Sequence, residues 1–576
     1  MDENHRGKIK KAPAPEVVKY LINPAIKTDL ERSYQTILDI NKAHVLMLAE
    51  EGIISTDVAK KILECTQEIS AMEGHPTFEI NPNVEDLYFN LEKYLLEQTG
   101  AEIGGQQHTA RSRNDLFATE ARMDIRGFYL RLCGMFNELR QNLINLGEAN
   151  VDAVMSGYTH LQPSEPITFG HYCAGGLNSL ERDYERIQNA WKALNICPLG
   201  GGSMGSTTFM INRNRTSALL GFDEPMQNSI DCTASRDYCL EIIGTMSVAS
   251  CTLSRFAYDL YMWSTPEYGY VEVDDSVAGC SSIMPQKKNA LTLECCKGKA
   301  AHMEAFFVSV FSSLKNIPFT HCRDSSTEAM RFVWTALQEF EADLALLNVT
   351  IKTLTLKKER MLQAAIQNYC TVTELANYLV RHDGISFRSA HGVVAMLVGY
   401  MQEHNKLANE ITVDDINPIC ELLLGKKTGL TDDLIREALD PTRNAQSKKT
   451  IGGSNSEEVT RQLNRLQANL DRDNVILESR IGQLKGAKEE LERKVAEAIA
   501  YTLTSRFSNQ AAFPLERRFF TAERQLTDKT VLDFQKKSGV PELFTSSVSK
   551  EKPCGKTARP RTEYPSYNYQ RTRIIN

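Results

Sequence analysis

Apolar positions recur with a helical period along most of this chain. The clearest run is Met330, Val333, Leu337, Phe340, Leu344, Leu347 and Ile351, spaced three and four apart in turn. That spacing lays one apolar seam along a helix and suits long helices packed side by side. Residues 116–150 and 290–316 read as further long helices. A helix over about 238–264 is apolar nearly all round, through Ile242, Ile243, Met246, Val248, Leu253, Phe256, Leu260 and Trp263. Such a helix is expected in the core of a bundle or an oligomer. Near the start, Ile37, Ile40, His44, Leu46 and Leu48 predict a half-buried helix that stops at Glu51-Gly52, and Thr56 opens the next. Beyond about 369 the helices shorten. Residues 457–497 carry heptad-like Val459, Leu463, Leu466, Leu470, Leu477, Ile481 and Leu484 amid heavy charge, and read as a solvated helix or coiled-coil arm. Strand signals are rare, so the fold class is all-α.

These patterns divide the chain. A helical domain with a flexible arm takes 1–115. A central long-helix bundle takes 116–368. A small helical domain takes 369–475, and a charged helical arm with a flexible extension takes 476–576. At 576 residues the chain exceeds one ordinary core, which agrees with several domains. Hydrophobic content of 42% and charged content of 24% are those of a soluble globular protein. A net charge of -7 argues against general nucleic-acid binding. The 14 cysteines include no Cys-x-x-Cys pair, which predicts reduced thiols and a cytoplasmic setting. Met1 to Pro15 has no apolar leader, and no run of about 18 apolar residues predicts a membrane span.

Three polar stretches carry candidate chemistry. Gly279-Cys280-Ser281-Ser282-Ile283-Met284-Pro285-Gln286-Lys287-Lys288-Asn289 begins with small residues and ends just before a helix from Ala290. Helix-start amides together with Lys287 would hold a carboxylate and ease deprotonation of Ser281. The alternative is a plain Gly/Ser turn with a charged cap. Gln106 to Asp115 contains Arg111 and Arg113 one residue apart. It reads either as a solvated loop capped by Asn114 or Asp115, or as an anion site built on arginine forks. Gly157-Tyr158-Thr159-His160-Leu161-Gln162-Pro163-Ser164-Glu165-Pro166 is a proline-stiffened, non-helical connection. Alone, His160 reads more readily as a satisfied structural histidine. Gly200 to Gly205 is not a dinucleotide loop, because a helical stretch precedes it where a strand is required.

Together these stretches resemble the signatures of the fumarase/aspartase superfamily, which includes argininosuccinate lyase, adenylosuccinate lyase and δ-crystallin. The Gln-Lys-Lys-Asn and Arg-Ser-Arg-Asn-Asp details resemble the argininosuccinate lyase branch. Asn228 to Asp231, Ser235-Arg236-Asp237, Leu439-Asp440-Pro441 and Gly452-Gly453 follow the same pattern. The resemblance covers roughly 16–475. It departs at Ala110, where the family has Gly, and at Leu116, where Gln is usual.

The resemblance implies a three-domain helical fold whose central bundle forms a homotetramer core, with each site built from three subunits. It implies C–N lyase activity: an N-substituted aspartate, argininosuccinate or a related amine adduct, is split into fumarate and a free amine. Ser281 is then the base, His160 the proton donor to nitrogen, and Glu294 the carboxylate that orients His160. Lys287 and Asn289 suit the doubly charged carboxylate that forms as the Cβ proton leaves. Ser112, Arg113, Asn114 and Thr159 would hold the fumarate half. No cofactor or metal is implied, and neither nucleic acid nor membrane is an expected partner. The loop Thr320 to Ala329 departs from the branch. Its Tyr, Gln and Lys, which bind the amine half, are here His321, Ser326 and Ala329, with Arg323 a candidate replacement cation. A structural, crystallin-like protein is the competing reading, against which the retention of Ser281, Lys287, Asn289 and His160 speaks.

Overall fold

The computed structural model describes residue 9 and residues 11–500. Most of the expected arm at 1–15, and the whole expected extension beyond 500, lie outside these residues. Five long helices pack together at the centre: Arg113–Glu148, Phe169–Asn189, Asp237–Trp263, Leu291–Leu314 and Ala329–Thr353. The apolar seam from Met330 to Ile351 is buried along its whole length. Each such side chain contributes about 1.5–3 kcal/mol on leaving water. The chain is therefore mostly helical, as its periodicity predicts.

The Asp237–Trp263 helix, expected in the core of a bundle or an oligomer, is buried on most but not all of its faces within the chain. Ile242, Ile243, Met246, Leu253, Phe256, Leu260 and Trp263 are buried, but Val248 is 47% exposed. One face of this helix is thus uncovered within the chain, and exposed Val308, Phe311 and Phe332 on its neighbours continue it.

A second hydrophobic cluster lies under helices Tyr34–Glu50, Thr56–Ser70 and Leu87–Thr99, joined by Cys197, Leu199, Leu219, Leu220 and Phe222. A third is formed by the shorter helices Val372–Asp383, Phe387–Glu403, Val413–Leu424 and Asp432–Leu439.

The helix Ser456–Ala500 is not a solvated arm. Val459, Leu463, Leu466, Leu470 and Leu477 enter the central cluster, and Leu491 and Val495 enter the second. Ion pairs tie it down, among them Arg140 to Asp473 at 2.8 Å, Lys42 to Glu492 at 2.8 Å and Arg465 to Glu181 at 3.2 Å. Arg140 and Lys42 are almost wholly buried, so losing Asp473 would strand the Arg140 charge, while Lys42 would keep Asp39 at 4.0 Å.

Strands among the described residues are confined to four two-stranded ribbons. Two of them carry sequence-predicted site residues. Val154–Thr159 pairs antiparallel with Gln162–Thr168, and Gly279–Cys280 pairs antiparallel with Lys288–Asn289. No helix among the described residues is long and apolar enough to cross a membrane.

Candidate active site

The Arg113–Glu148 helix starts inside the Gln106 to Asp115 stretch, and its cap is Ser112 rather than Asn114 or Asp115. The Ser112 hydroxyl accepts the Asn114 amide, and Asp115 accepts the Ser112 amide to complete a capping box. Asp115 is fully buried, and its other oxygen accepts the amides of Gly200 and Gly202 at 2.8 and 3.0 Å. Burial holds its carboxyl above the usual range even so. The glycine run is thus a docking loop for a helix start. Gly202 has φ +63°, and a Cβ there would lie 2.7 Å from the Ser206 carbonyl oxygen. Asn114 donates to the Ser203 carbonyl at 3.1 Å, closing the same corner. Ala110, at the position where the resembling family has Gly, adopts φ 63°, a left-handed conformation that a Cβ disfavours.

Arg113 pairs with Asp86 and lies 3.6 Å from Glu85. Its guanidinium stacks on Phe89, 4.0 Å from the ring centre. Glu85 also meets Arg323 at 3.5 Å, so one carboxylate sits between two arginines. Glu85 has φ 89°, a conformation rare outside glycine. Glu85 and Asp86 were not legible as site residues, since Pro82-Asn83 before them reads as a turn leading into a capped helix. His321 joins this corner. Burial and the Arg236, Arg113 and Arg323 charges push its imidazole down to about 4, and its Nδ1 is buried without a hydrogen-bond partner. Ser326 lies in the turn Asp324–Glu328, with its amide on the Cys322 carbonyl at 3.0 Å. Ala329 is fully buried at the start of its helix, so it does not face an open recess.

Ser281 lies in the loop of the Gly279–Asn289 ribbon, and the following helix starts only at Leu291. The expected helix-start amides are therefore replaced by amides of the loop itself. Met284 and Ile283 donate to the Ser281 hydroxyl at 3.0 and 3.4 Å. The two lysines differ in a way their sequence conceals. Lys288 is held by Asp275 at 2.7 Å and Glu272 at 3.4 Å, whereas Lys287 is exposed and its ammonium has no partner among the described residues. Asn289 pairs with Gly279 across the ribbon. Glu294 is exposed on the first turn of the next helix and accepts the Tyr261 hydroxyl at 3.0 Å.

Thr159 and His160 stand at the tip of the other ribbon. Thr159 pairs with Gln162, leaving His160-Leu161 as a two-residue turn with φ of 54° and 58°. Both values are left-handed, as hairpins with this connection require. The tip is exposed.

Within one chain, Arg113, Arg323 and His321 come together beside Ser112 and Asn114. Neither His160 nor Ser281 is hydrogen-bonded to that group, and Glu294 makes no bond to His160 among the described residues. No group of three or more His, Cys, Asp or Glu among the described residues is placed to hold a metal ion.

Comparison with known proteins agrees with this helical lyase architecture. Residues 26–303 match the family described as lyase, and residues 369–446 match the argininosuccinate lyase C-terminal family. Argininosuccinate lyase 1 of Shouchella clausii (strain KSM-K16) is 44% identical over 481 residues, which is 84% of this chain and 96% of that protein. The crystal structure of EDDS lyase in complex with formate superposes with a TM-score of 0.75 at 30% identity, covering 85% of this chain and 97% of that one. An EDDS lyase variant with bound fumarate gives 0.74 at 31% identity, with the same coverage. The chain belongs to the argininosuccinate lyase family of carbon–nitrogen lyases.

Proposed function

We propose that the protein splits an N-substituted aspartate, argininosuccinate or a related amine adduct, into fumarate and the free amine. The observation that carries this reading is the Ser281 hydroxyl. It accepts two loop amides, so its oxygen sits where an alkoxide would be stabilised, with the Lys287 ammonium, unpaired among the described residues, in the same loop. Ser281 takes the Cβ proton, and the electron pair spreads onto the neighbouring carboxylate, which Lys287 and Asn289 stabilise. The Cα–N bond then breaks, the double bond of fumarate forms, and His160 gives a proton to the departing nitrogen. Glu294 orients His160, and Ser112, Arg113, Asn114 and Thr159 hold the fumarate half.

The amine half is the variable half. The relatives above are named for two different substrates, argininosuccinate and EDDS. Here Arg323 points to Glu85 beside Arg113, and it takes over from the missing lysine as the cation of that pocket. His321 and Ser326 line the same side.

His160 and Ser281 do not meet Arg113 within one chain. We therefore assign the working form as a homotetramer whose sites draw on three subunits, with a three-domain fold around a shared helical core. Exposed Val248, Val308, Phe311 and Phe332 on the central helices support it. The cysteines among the described residues are free thiols, which supports a cytoplasmic setting.

The test is to supply argininosuccinate, EDDS and, in the reverse direction, fumarate with a panel of amines, following fumarate absorbance. Formation of fumarate from at least one adduct is expected. No turnover in either direction would favour the crystallin-like alternative. Light scattering at micromolar concentration should give four subunits, and an active monomer would refute the shared site.

A further inference from the structure

The exposed tip that carries His160 has to be aimed from its base. Leu161 beside it occupies a left-handed conformation, φ 58°, that a non-glycine residue disfavours. The ribbon is also irregular below the tip. Its register shifts between Ser156 and Tyr158, where Ser164 and Glu165 of the second strand stand against Gly157 alone. Such a bulge bends a ribbon and re-aims what lies beyond it.

Lys448 sits on this irregularity. Its Nζ donates to the Glu165 carboxylate at 2.7 Å and to the Pro166 carbonyl at 3.0 Å. A Cβ on Gly157 would lie 3.0 Å from the Glu165 carbonyl, and the ammonium grips the bulged strand itself, at Glu165 and Pro166. Lys448 is itself firmly held, just after the helix Pro441–Ser447. Its carbonyl accepts the Asn455 amide at 3.3 Å. Gly453 approaches so closely that a Cβ there would lie 2.0 Å from that carbonyl oxygen. Ser454 is buried and donates to the Ala445 carbonyl at 3.0 Å. The Gly452-Gly453 pair thus lets the chain fold tightly behind the lysine.

We infer that Lys448 is a positioning residue for His160, fixing the bend that points the imidazole at the departing nitrogen. The inference rests on the proposed role of His160 as proton donor. Both residues lie in one chain, so the clamp acts whatever the oligomeric state.

The experiment compares Lys448→Met, Lys448→Arg, Glu165→Ala, His160→Asn and the double variant Lys448→Met/His160→Asn. Substrates are an N-alkyl aspartate, which releases a basic amine, and an N-aryl aspartate, which releases a weakly basic one. Misplacing a proton donor by about 1 Å costs up to about a hundredfold, so Lys448→Met should lower kcat at least about tenfold on the alkyl substrate with KM unchanged. The loss should be much smaller on the aryl substrate, which needs the proton less. Lys448→Arg should restore the rate, and Glu165→Ala should reproduce part of the loss. Adding Lys448→Met to His160→Asn should change nothing further. An unchanged kcat in Lys448→Met, an equal loss on both substrates, or a full additional loss in the double variant would overturn the inference. A normal rate in His160→Asn alone would overturn the role of His160 itself, and that single variant separates the two failures.

Discussion

The side chains of Arg113, Asp86 and Asp115 all find hydrogen-bonding partners inside their own chain, whereas the Lys287 ammonium in the Ser281 loop finds none among the described residues. The arginine corner is a folded structure in its own right, in which a helix cap, a glycine loop and two carboxylates position one guanidinium. The Ser281 ribbon is short and exposed, with Ile283 83% exposed at its tip. A binding surface gains from being rigid before the ligand arrives. A loop proposed to donate a base can be left open, to be closed when substrate arrives. Substitutions in the two regions should therefore fail in different ways.

The largest contrast is expected from Ser281→Ala. Loss of a general base typically costs about 10²–10⁴-fold in rate, and no packing depends on this hydroxyl. Turnover should collapse while the thermal unfolding midpoint stays put. A near-normal rate would remove Ser281 from its role. Asp115→Ala should do the reverse, because it unmakes the capping box and frees two glycine amides. A loss of about 2–4 kcal/mol is expected, read by denaturant unfolding. A neutral result would mean that the corner is not self-supporting.

Arg323→Met should raise KM about ten- to a hundredfold with kcat retained, the usual cost of a charged hydrogen bond of about 1.5–3 kcal/mol. Equal KM values would take Arg323 out of the amine pocket. Ala110→Gly should stabilise the protein by about 1 kcal/mol, because glycine accepts the left-handed backbone that alanine resists. A destabilised variant would contradict the strain at 110.

A further effect concerns pH. The folded state holds the His321 imidazole at about 4, while its ordinary value is 6.5. As pH falls through that interval the unfolded chain takes the proton first, so His321 lowers stability progressively from about 6.5 to about 4. His321→Asn should flatten that part of the acid slope relative to wild type in parallel denaturation series. An unchanged slope would place His321 in solvent.

The long central helices were legible because apolar spacing over many turns fixes both their type and their buried face. The site was legible through its motifs, and only in part through chemistry. Nothing in Gly279-Cys280-Ser281 announces a ribbon, because two-residue strands have no period to read. Lys287 and Lys288 are identical in sequence and differ only through Asp275 and Glu272, which fold back onto one of them. Glu85 owes its place to Arg323, 238 residues away. The last helix was misread for the same reason. Its heptads and charge describe a solvated arm until Arg140 and Lys42 are brought to Asp473 and Glu492.

That last helix has a mechanical consequence. Its 45 residues span about 68 Å at 1.5 Å per residue. It lends side chains to both the central and the second hydrophobic cluster, and none to the third. It works as a splint across these two clusters, beside the Arg113–Glu148 helix, which lends Leu116 to the second and Ile125 to the central one. Loosening either end costs both, which ties them into one cooperative transition, while the small cluster of residues 375–439 is left to open on its own.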